Sequence, residues 1–298
     1  MFFTDSYKAL RRGRRALALR YFVISILTLA IIGLPVGFLL LRRFESAVTF
    51  HPERAAFAGL WRVPEGAEEV WFKTADGVRL YGWLFHPKTL PASATVVYFH
   101  GNGGNLSYCD WVGTALAARG FDVLLFDYRG YGRSEGEPTD ERGVYADADA
   151  AYDFVTKERG VPAERVVLYG QSLGTTAAVD VASRKACGAL VVESGLSSAG
   201  DMAGAIMPWL PHFARGLTRN KFDSVGKLPR VGCPVLVAHG ERDRIIPVAQ
   251  GRKLFEAAPA RKRLLIIDDA GHNDLSIVGG ERYIDSLAGF IRDSVRAK

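Results

Sequence analysis

The chain has 298 residues, 48% hydrophobic and 23% charged, with a formal net charge of +6. That balance fits a globular protein, and the length suits one large α/β domain or two small ones. The charge excess sits in residues 1–43, which carry net +7 and leave net −1 on the rest; nothing in the body suggests a phosphate-binding surface, so we expect no nucleic-acid partner.

Residues 1–20 form a basic arm with Lys8, Arg11, Arg12, Arg14, Arg15 and Arg20. The run YFVISILTLAIIGLPVGFLLL, Tyr21–Leu41, follows without a charge. As a helix it spans ~31 Å, matching a hydrocarbon core of ~30 Å. Gly33, Pro35 and Gly37 weaken a soluble helix but are tolerated in a membrane span. A cleaved signal peptide has a shorter apolar core and a small-residue cleavage site, whereas Arg42, Arg43 and Glu45 follow here. A core helix of such uniform apolarity between arginines fits less well. The expectation is a single-span anchor over 21–41. Six basic residues precede it and two follow, which puts the N-terminus in the cytoplasm and the body on the other side.

A connector, 42–69, comes next, with His51-Pro52 and Pro64-Glu65-Gly66 as loop signals. EVWFKT and VRLYGWLFHP, joined by Ala75-Asp76-Gly77, read as a β-hairpin. Short apolar runs then recur: Thr95–His100, Phe121–Asp127, Arg165–Gly170, Ala189–Ser194, Pro234–Gly240 and Arg263–Asp269. Nearly continuous in Val, Leu and Ile, they suit parallel strands buried on both faces. Helical stretches lie between or after them at Asn105–Arg119, Asp140–Arg159, Ser172–Lys185, Val248–Ala257 and Gly280–Ala297. The expected class is α/β, a mostly parallel sheet covered by helices over 70–298. Gly195–Arg230 breaks the rhythm and reads as a short lid at about 195–230. Its apolar Met202, Ile206, Met207, Trp209, Leu210 and Phe213 serve equally for substrate contact or for core packing. Cys109, Cys187 and Cys233 are odd in number and lack metal-ligand spacing, so buried thiols are the default and no metal is expected.

Two stretches match Gly-x-Ser-x-Gly: GQSLG at Gly170–Gly174 and GRSEG at Gly132–Gly136. The pattern marks a nucleophile only where a strand turns sharply into a helix. Ser172 meets that condition, following RVVLYG and opening onto Thr175-Thr176-Ala177-Ala178, small residues that relieve the crowding. Ser134 lies in a glycine-rich loop beside Glu135, whose charge opposes an oxyanion; it reads as a turn residue. A serine hydroxyl needs a base and an orienting acid. In strand–turn–helix sites these follow in chain order Ser, acid, His. Downstream histidines are His212, His239 and His272. His272, in a loop after the last strand, is the base; His212 lies in the lid, and His239 precedes the best acid. That acid is Asp243, just past the strand ending at Gly240, whereas Asp268, Asp269 and Asp274 have no reason to face the ring. Oxyanion donors are expected from the backbone N–H of Leu173 and, in HGNGGN (His100–Asn105), from that of Asn102. The latter loop lacks the spacing of a P-loop or a dinucleotide fingerprint.

With Ser172, Asp243, His272, HGNGGN and FDYRGYGRSEG in this order, the chain resembles the α/β-hydrolase superfamily over roughly Trp71–Arg296. More narrowly, it is similar to membrane-anchored serine hydrolases with a short lid. The resemblance implies an eight-stranded sheet with one antiparallel strand and cofactor-free acyl transfer to water. It also implies that GYGRSEG is a structural loop after strand four. The substrate expected is a hydrophobic carboxylic ester or acyl thioester. The alternatives are an aminopeptidase or other amide hydrolase and, in a different class, a non-catalytic binding protein on this fold.

Overall fold

The computed structural model describes residues 14, 17–55, 61–88, 91–138, 140–209, 211, 215 and 218–296. Most of the basic arm (all of 1–13 and Arg15) and the lid residues Leu210, His212 and Phe213 lie outside them. The chain divides into two compact units between Val48 and Thr49.

The first unit contains a 31-residue helix, Leu17–Ala47, long and apolar enough to cross a membrane. Its apolar side chains, among them Ile24, Leu27, Ile31 and Phe38, are exposed. A π turn at Leu29–Gly33 lies just before Pro35. Proline has no N–H to donate and its ring crowds the preceding turn, and widening that turn accommodates both effects.

The second unit is built on one eight-stranded sheet. Its strands are β1 (Ala67–Lys73), β2 (Arg79–Phe85), β3 (Thr95–Phe99), β4 (Asp122–Phe126), β5 (Val166–Gln171), β6 (Ala189–Glu193), β7 (Val235–Gly240) and β8 (Lys262–Ile267). Their order is β8-β7-β6-β5-β3-β4-β2-β1. β2 runs antiparallel to both its neighbours, and the other pairs are parallel. The expected hairpin is β1–β2, turning at Thr74–Val78 where Gly77 has φ +89°.

Alternation along the strands divides the core into two layers. Val97, Phe99, Leu124, Phe126, Leu168 and Val192 face helices α2 (Glu141–Asp153), α3 (Gly174–Ala182) and α5 (Val248–Ala257). Val96, Tyr98, Val123, Leu125, Val167 and Val191 face α1 (Asp110–Ala117) and α6 (Leu275–Arg296). The central strands are buried on both faces, which explains why they read as unbroken apolar runs. Each such Val or Leu contributes about 1.5–3 kcal/mol.

Two segments differ from their expected character. Within the connector, the residues read as a loop signal form a parallel two-residue ladder, His51–Pro52 against Gly103–Gly104, continued by an Arg54–Gly132 bridge. Phe50 is buried with its ring edge-on to Phe222. A two-residue proline-containing strand has no periodicity to reveal it. The lid holds α4 (Ala199–Ile206), capped by the Ser198 hydroxyl, which accepts the Asp201 N–H. Met202 packs on the core, whereas Ile206 and Trp209 are 66% and 77% exposed. Core packing thus accounts for Met202 and not for Ile206 or Trp209. Cys187 and Cys233 bury their sulfurs 3.1 Å apart.

Candidate active site

Ser172 directly follows β5, in the left-handed region at φ +52°. A side chain there costs roughly 1–2 kcal/mol, so the surroundings must impose it. They do so through close backbone approach. A Cβ on Gly174 would come within 2.0 Å of the Phe99 carbonyl oxygen, and one on Gly170 within 2.5 Å of the Gly174 oxygen. Both glycines are therefore needed for α3 to start against β3 and β5. The Ser172 N–H donates to the Glu193 carbonyl at 2.9 Å, and the Thr175 hydroxyl donates to the Ser172 carbonyl at 2.6 Å, pinning both sides of the turn.

The loop after β8 brings His272 over this turn, its Nε2 3.0 Å from Ser172 Oγ. The ring's Nδ1 lies 2.7 Å from Asp243 Oδ2. A carboxylate can only accept, so Nδ1 carries the proton and Nε2 is free to accept from the serine hydroxyl. The other oxygen of Asp243 accepts the N–H groups of Ile245 and Ile246 at 2.9 and 2.8 Å, which fixes the carboxylate plane. Burial works to raise the Asp243 carboxyl, but hydrogen bonds from His239 and His272 outweigh it and hold the group well below the usual carboxylate range. The competing acids are engaged elsewhere: Asp274 accepts the Gly271 N–H at 2.6 Å, Asp269 pairs with Arg242 at 2.5 Å, and Asp268 is exposed.

His239, a candidate base by sequence, has a different place. It is fully buried, with Nε2 2.9 Å from the Ile246 carbonyl and 3.2 Å from Asp243 Oδ2. Nε2–H is thus the donor, shared between a backbone oxygen and the acid that also holds His272. Gly251 packs so tightly on the ring that a Cβ there would lie 2.4 Å from Nδ1. In the sequence it reads only as the last apolar-strand position before Gly240, because the contact forms when Asp243 folds back onto it. Glu193, at the end of β6, is buried and accepts from the Tyr169 and Tyr283 hydroxyls; burial raises its carboxyl. Nothing in the local sequence marks that cluster, because Tyr283 arrives from α6.

The HGNGGN loop follows β3 and lies against the serine; a Cβ on Gly101 would be 3.5 Å from Ser172 Cβ. His100 anchors it from below, its Nδ1 donating to the Gly101 carbonyl at 2.7 Å. Burial pushes this imidazole down to about 4, so it is neutral near pH 7. The Asn102 carbonyl accepts the Tyr131 hydroxyl at 2.9 Å. Among the described residues, the backbone N–H groups of Asn102 and Leu173 donate to no acceptor, and Leu173 caps the N-terminus of α3, where the helix dipole favours negative charge.

Ser134, the other pattern serine, is buried away from this site. Its hydroxyl donates to the Asp127 carbonyl at 2.6 Å and accepts the Tyr81 N–H at 2.9 Å. Glu135 beside it pairs with Arg79 at 2.6 Å. Among the described residues, no group of three or more His, Cys, Asp or Glu side chains is arranged to hold a metal.

A family model described as the alpha/beta hydrolase fold matches residues 94–226. Alpha/beta hydrolase domain-containing protein 17C of Mus musculus is 33% identical over 240 residues, covering 80% of this chain and 72% of that protein. The uncharacterized protein YfhR of Escherichia coli is 34% identical over 236 residues, covering 76% of this chain and 81% of that one. Among solved structures, Pyrococcus furiosus esterase Pf2001 superposes with a TM-score of 0.68 at 21% identity, over 82% of this chain and 99% of that chain. A Mycobacterium smegmatis proline iminopeptidase does so with a TM-score of 0.63 at 16% identity, over 77% and 99%. With the sheet order, the strand–turn–helix serine and these relatives in agreement, the chain belongs to the α/β-hydrolase superfamily.

Proposed function

We propose that this protein is a serine hydrolase that cleaves carboxylic esters or acyl thioesters with hydrophobic acyl groups. His272 Nε2 takes the Ser172 proton as Oγ attacks the acyl carbonyl. Asp243 holds the imidazole in the required tautomer and stabilises its cation. The Asn102 and Leu173 N–H groups receive the oxyanion. The imidazolium then protonates the leaving group, and water, deprotonated by His272, releases the acid from Ser172. The observation that carries this reading is the hydrogen-bonded series Ser172–His272–Asp243 at 3.0 and 2.7 Å.

The preference for hydrophobic acyl groups draws support from Ile206 and Trp209, exposed on the lid segment. The N-terminal helix, in the same reading, is a single-pass membrane anchor with its basic arm in the cytoplasm and the hydrolase body on the other side. A fluorophosphonate probe tests the nucleophile: labelling is lost in Ser172→Ala and kept in Ser134→Ala. Failure of the wild type to label, or labelling that survives Ser172→Ala, overturns the assignment. A panel of acyl esters and thioesters of graded length, run beside aminoacyl amides, tests the substrate class. A preference for the amides replaces the esterase reading with an aminopeptidase one.

A further inference from the structure

We infer that the segment His51–Ala55, which precedes the hydrolase sheet, is a positioning element for the oxyanion loop, with His51 as its principal residue. The inference rests on the serine-hydrolase reading above. The loop that carries Asn102 has two glycines after it, one of them at φ +78°, and so little intrinsic rigidity of its own. An oxyanion donor acts only if it is already held where the charge develops. Something outside the loop must therefore hold it.

The contacts converge on that task. The His51 N–H donates to Asn102 Oδ1 at 3.3 Å, and the Asn102 amide donates to His51 Nδ1 at 3.0 Å. Peptide N–H and imidazole nitrogen of one residue thus grip both ends of one carboxamide. One residue pair further on, the Glu53 N–H donates to the Gly104 carbonyl at 3.1 Å. The Asn105 amide donates to the Glu53 carbonyl at 3.2 Å, and the Tyr108 hydroxyl reaches the Glu53 carboxylate at 3.0 Å. On its other side the segment is fastened to the GYGRSEG loop. The Gly132 N–H donates to the Glu53 carbonyl at 3.0 Å, and Arg54 donates to the Ser134 and Gly136 carbonyls at 2.7 and 2.8 Å. Tyr131, from that second loop, closes the circuit by donating to the Asn102 carbonyl. A five-residue stretch thereby ties two glycine loops together, and one of the loops holds a proposed oxyanion donor.

The consequence is specific to the transition state. Substrate binding places a neutral carbonyl in the site and depends weakly on the donor; the tetrahedral oxyanion depends on it strongly. Loosening His51 should therefore lower kcat and leave KM nearly unchanged.

The test uses the full-length, detergent-solubilised protein with a short acyl p-nitrophenyl ester and an alkyl boronic acid, which forms a tetrahedral adduct on the serine. His51→Ala and Asn102→Ala are each expected to lower kcat by about tenfold or more, a share of the 10²–10³ that losing a donor outright costs. Boronate affinity is expected to fall in parallel. The double variant is expected to be no worse than Asn102→Ala alone, because that variant already removes the Nδ1 contact that His51→Ala loses. His51→Asn keeps an acceptor for the Asn102 amide and is expected to recover most of the loss, which separates positioning from a general loss of folding. The inference is overturned if the His51 variants keep wild-type kcat, if kcat falls while boronate affinity does not, or if His51→Asn is as impaired as His51→Ala. A wild type that neither turns over esters nor labels with fluorophosphonate instead overturns the hydrolase reading itself.

Discussion

GQSLG and GRSEG share a five-residue pattern and nothing else. In the first, the glycines vacate space so that two backbones can touch, and the positive φ falls on the serine. In the second, the positive φ values fall on Gly132 and Gly136, and the serine hydroxyl is consumed inside the loop by Tyr81 and Asp127. The strained residue projects its side chain toward a histidine; the unstrained one serves as an internal brace. What separates them is the chain on either side: a buried strand running without pause into a helix, against a loop bounded by charges.

The two serines should differ most at the hydroxyl. Ser172→Ala should reduce ester turnover by on the order of 10⁴-fold or more, as should His272→Ala, because members of such a unit act together. Asp243→Asn should cost a comparable factor, since it disturbs the tautomer of His272. Ser134→Ala should leave kcat within about twofold at a temperature where it is folded, the bound being the size of a single uninvolved contact. Steady-state kinetics on purified variants decide this, and equal losses at the two serines would dissolve the distinction.

The glycines sharpen it next. Gly174→Ala forces a methyl into the Phe99 carbonyl and should destabilise by about 3 kcal/mol or more, with loss of labelling as the turn shifts. Gly136→Ala meets Val78 at 3.3 Å, a tight contact that a shift of a few tenths of an ångström relieves, and is penalised chiefly by its φ of +77°, roughly 1–2 kcal/mol. Urea unfolding of the two variants gives the ordering, and a Gly136 variant that is the weaker of the pair contradicts it.

Much of this was legible beforehand, for a physical reason that differs by element. Strands buried on both faces read as unbroken Val, Leu and Ile, so β3 to β7 stood out. The elbow was readable because Gly170, Ser172 and Gly174 each answer a local steric demand. Asp243 and His272 followed from their places after strand ends. Illegible were the residues whose role depends on tertiary arrival. His239 reads as the end of a strand until Asp243 folds back onto it. His51 and Pro52 carry no strand signal at all, because their partner is a glycine loop far along the chain. The Glu193 cluster needs two tyrosines from different elements. Local chemistry writes itself into sequence; convergence does not.

Beneath the second pattern lies Asp127, whose carboxyl burial pushes up from 3.8 to about 7. The folded protein therefore holds this proton where the unfolded chain has released it. Stability falls as pH rises from about 4 to about 7, since the folded state binds more protons across that window. Asp127→Asn keeps an acceptor for the Leu106 N–H, bonded at 2.7 Å in the parent, and carries no charge to bury. Its Tm relative to wild type should rise between pH 5 and pH 8. A difference that is flat or falls with pH would show that the carboxylate is stabilised when ionised.

The last contrast lies in the brace itself. Ser134→Ala removes the hydroxyl that accepts the Tyr81 N–H and donates to the Asp127 carbonyl, both in buried surroundings. Leaving that N–H unpaired costs about 1–3 kcal/mol, and the carbonyl less, because its second lone pair can find other donors. The loss should appear in the unfolding midpoint and not in the rate of fluorophosphonate labelling. Ser172→Ala should do the reverse: it loses one part-buried hydrogen bond, about 0.5–1.5 kcal/mol, and removing the hydroxyl at φ +52° relieves none of the backbone strain, since alanine retains its Cβ. A midpoint that drops more for Ser172→Ala than for Ser134→Ala would mean that the elbow serine, rather than the loop serine, holds the fold together, and the two patterns would have to exchange roles.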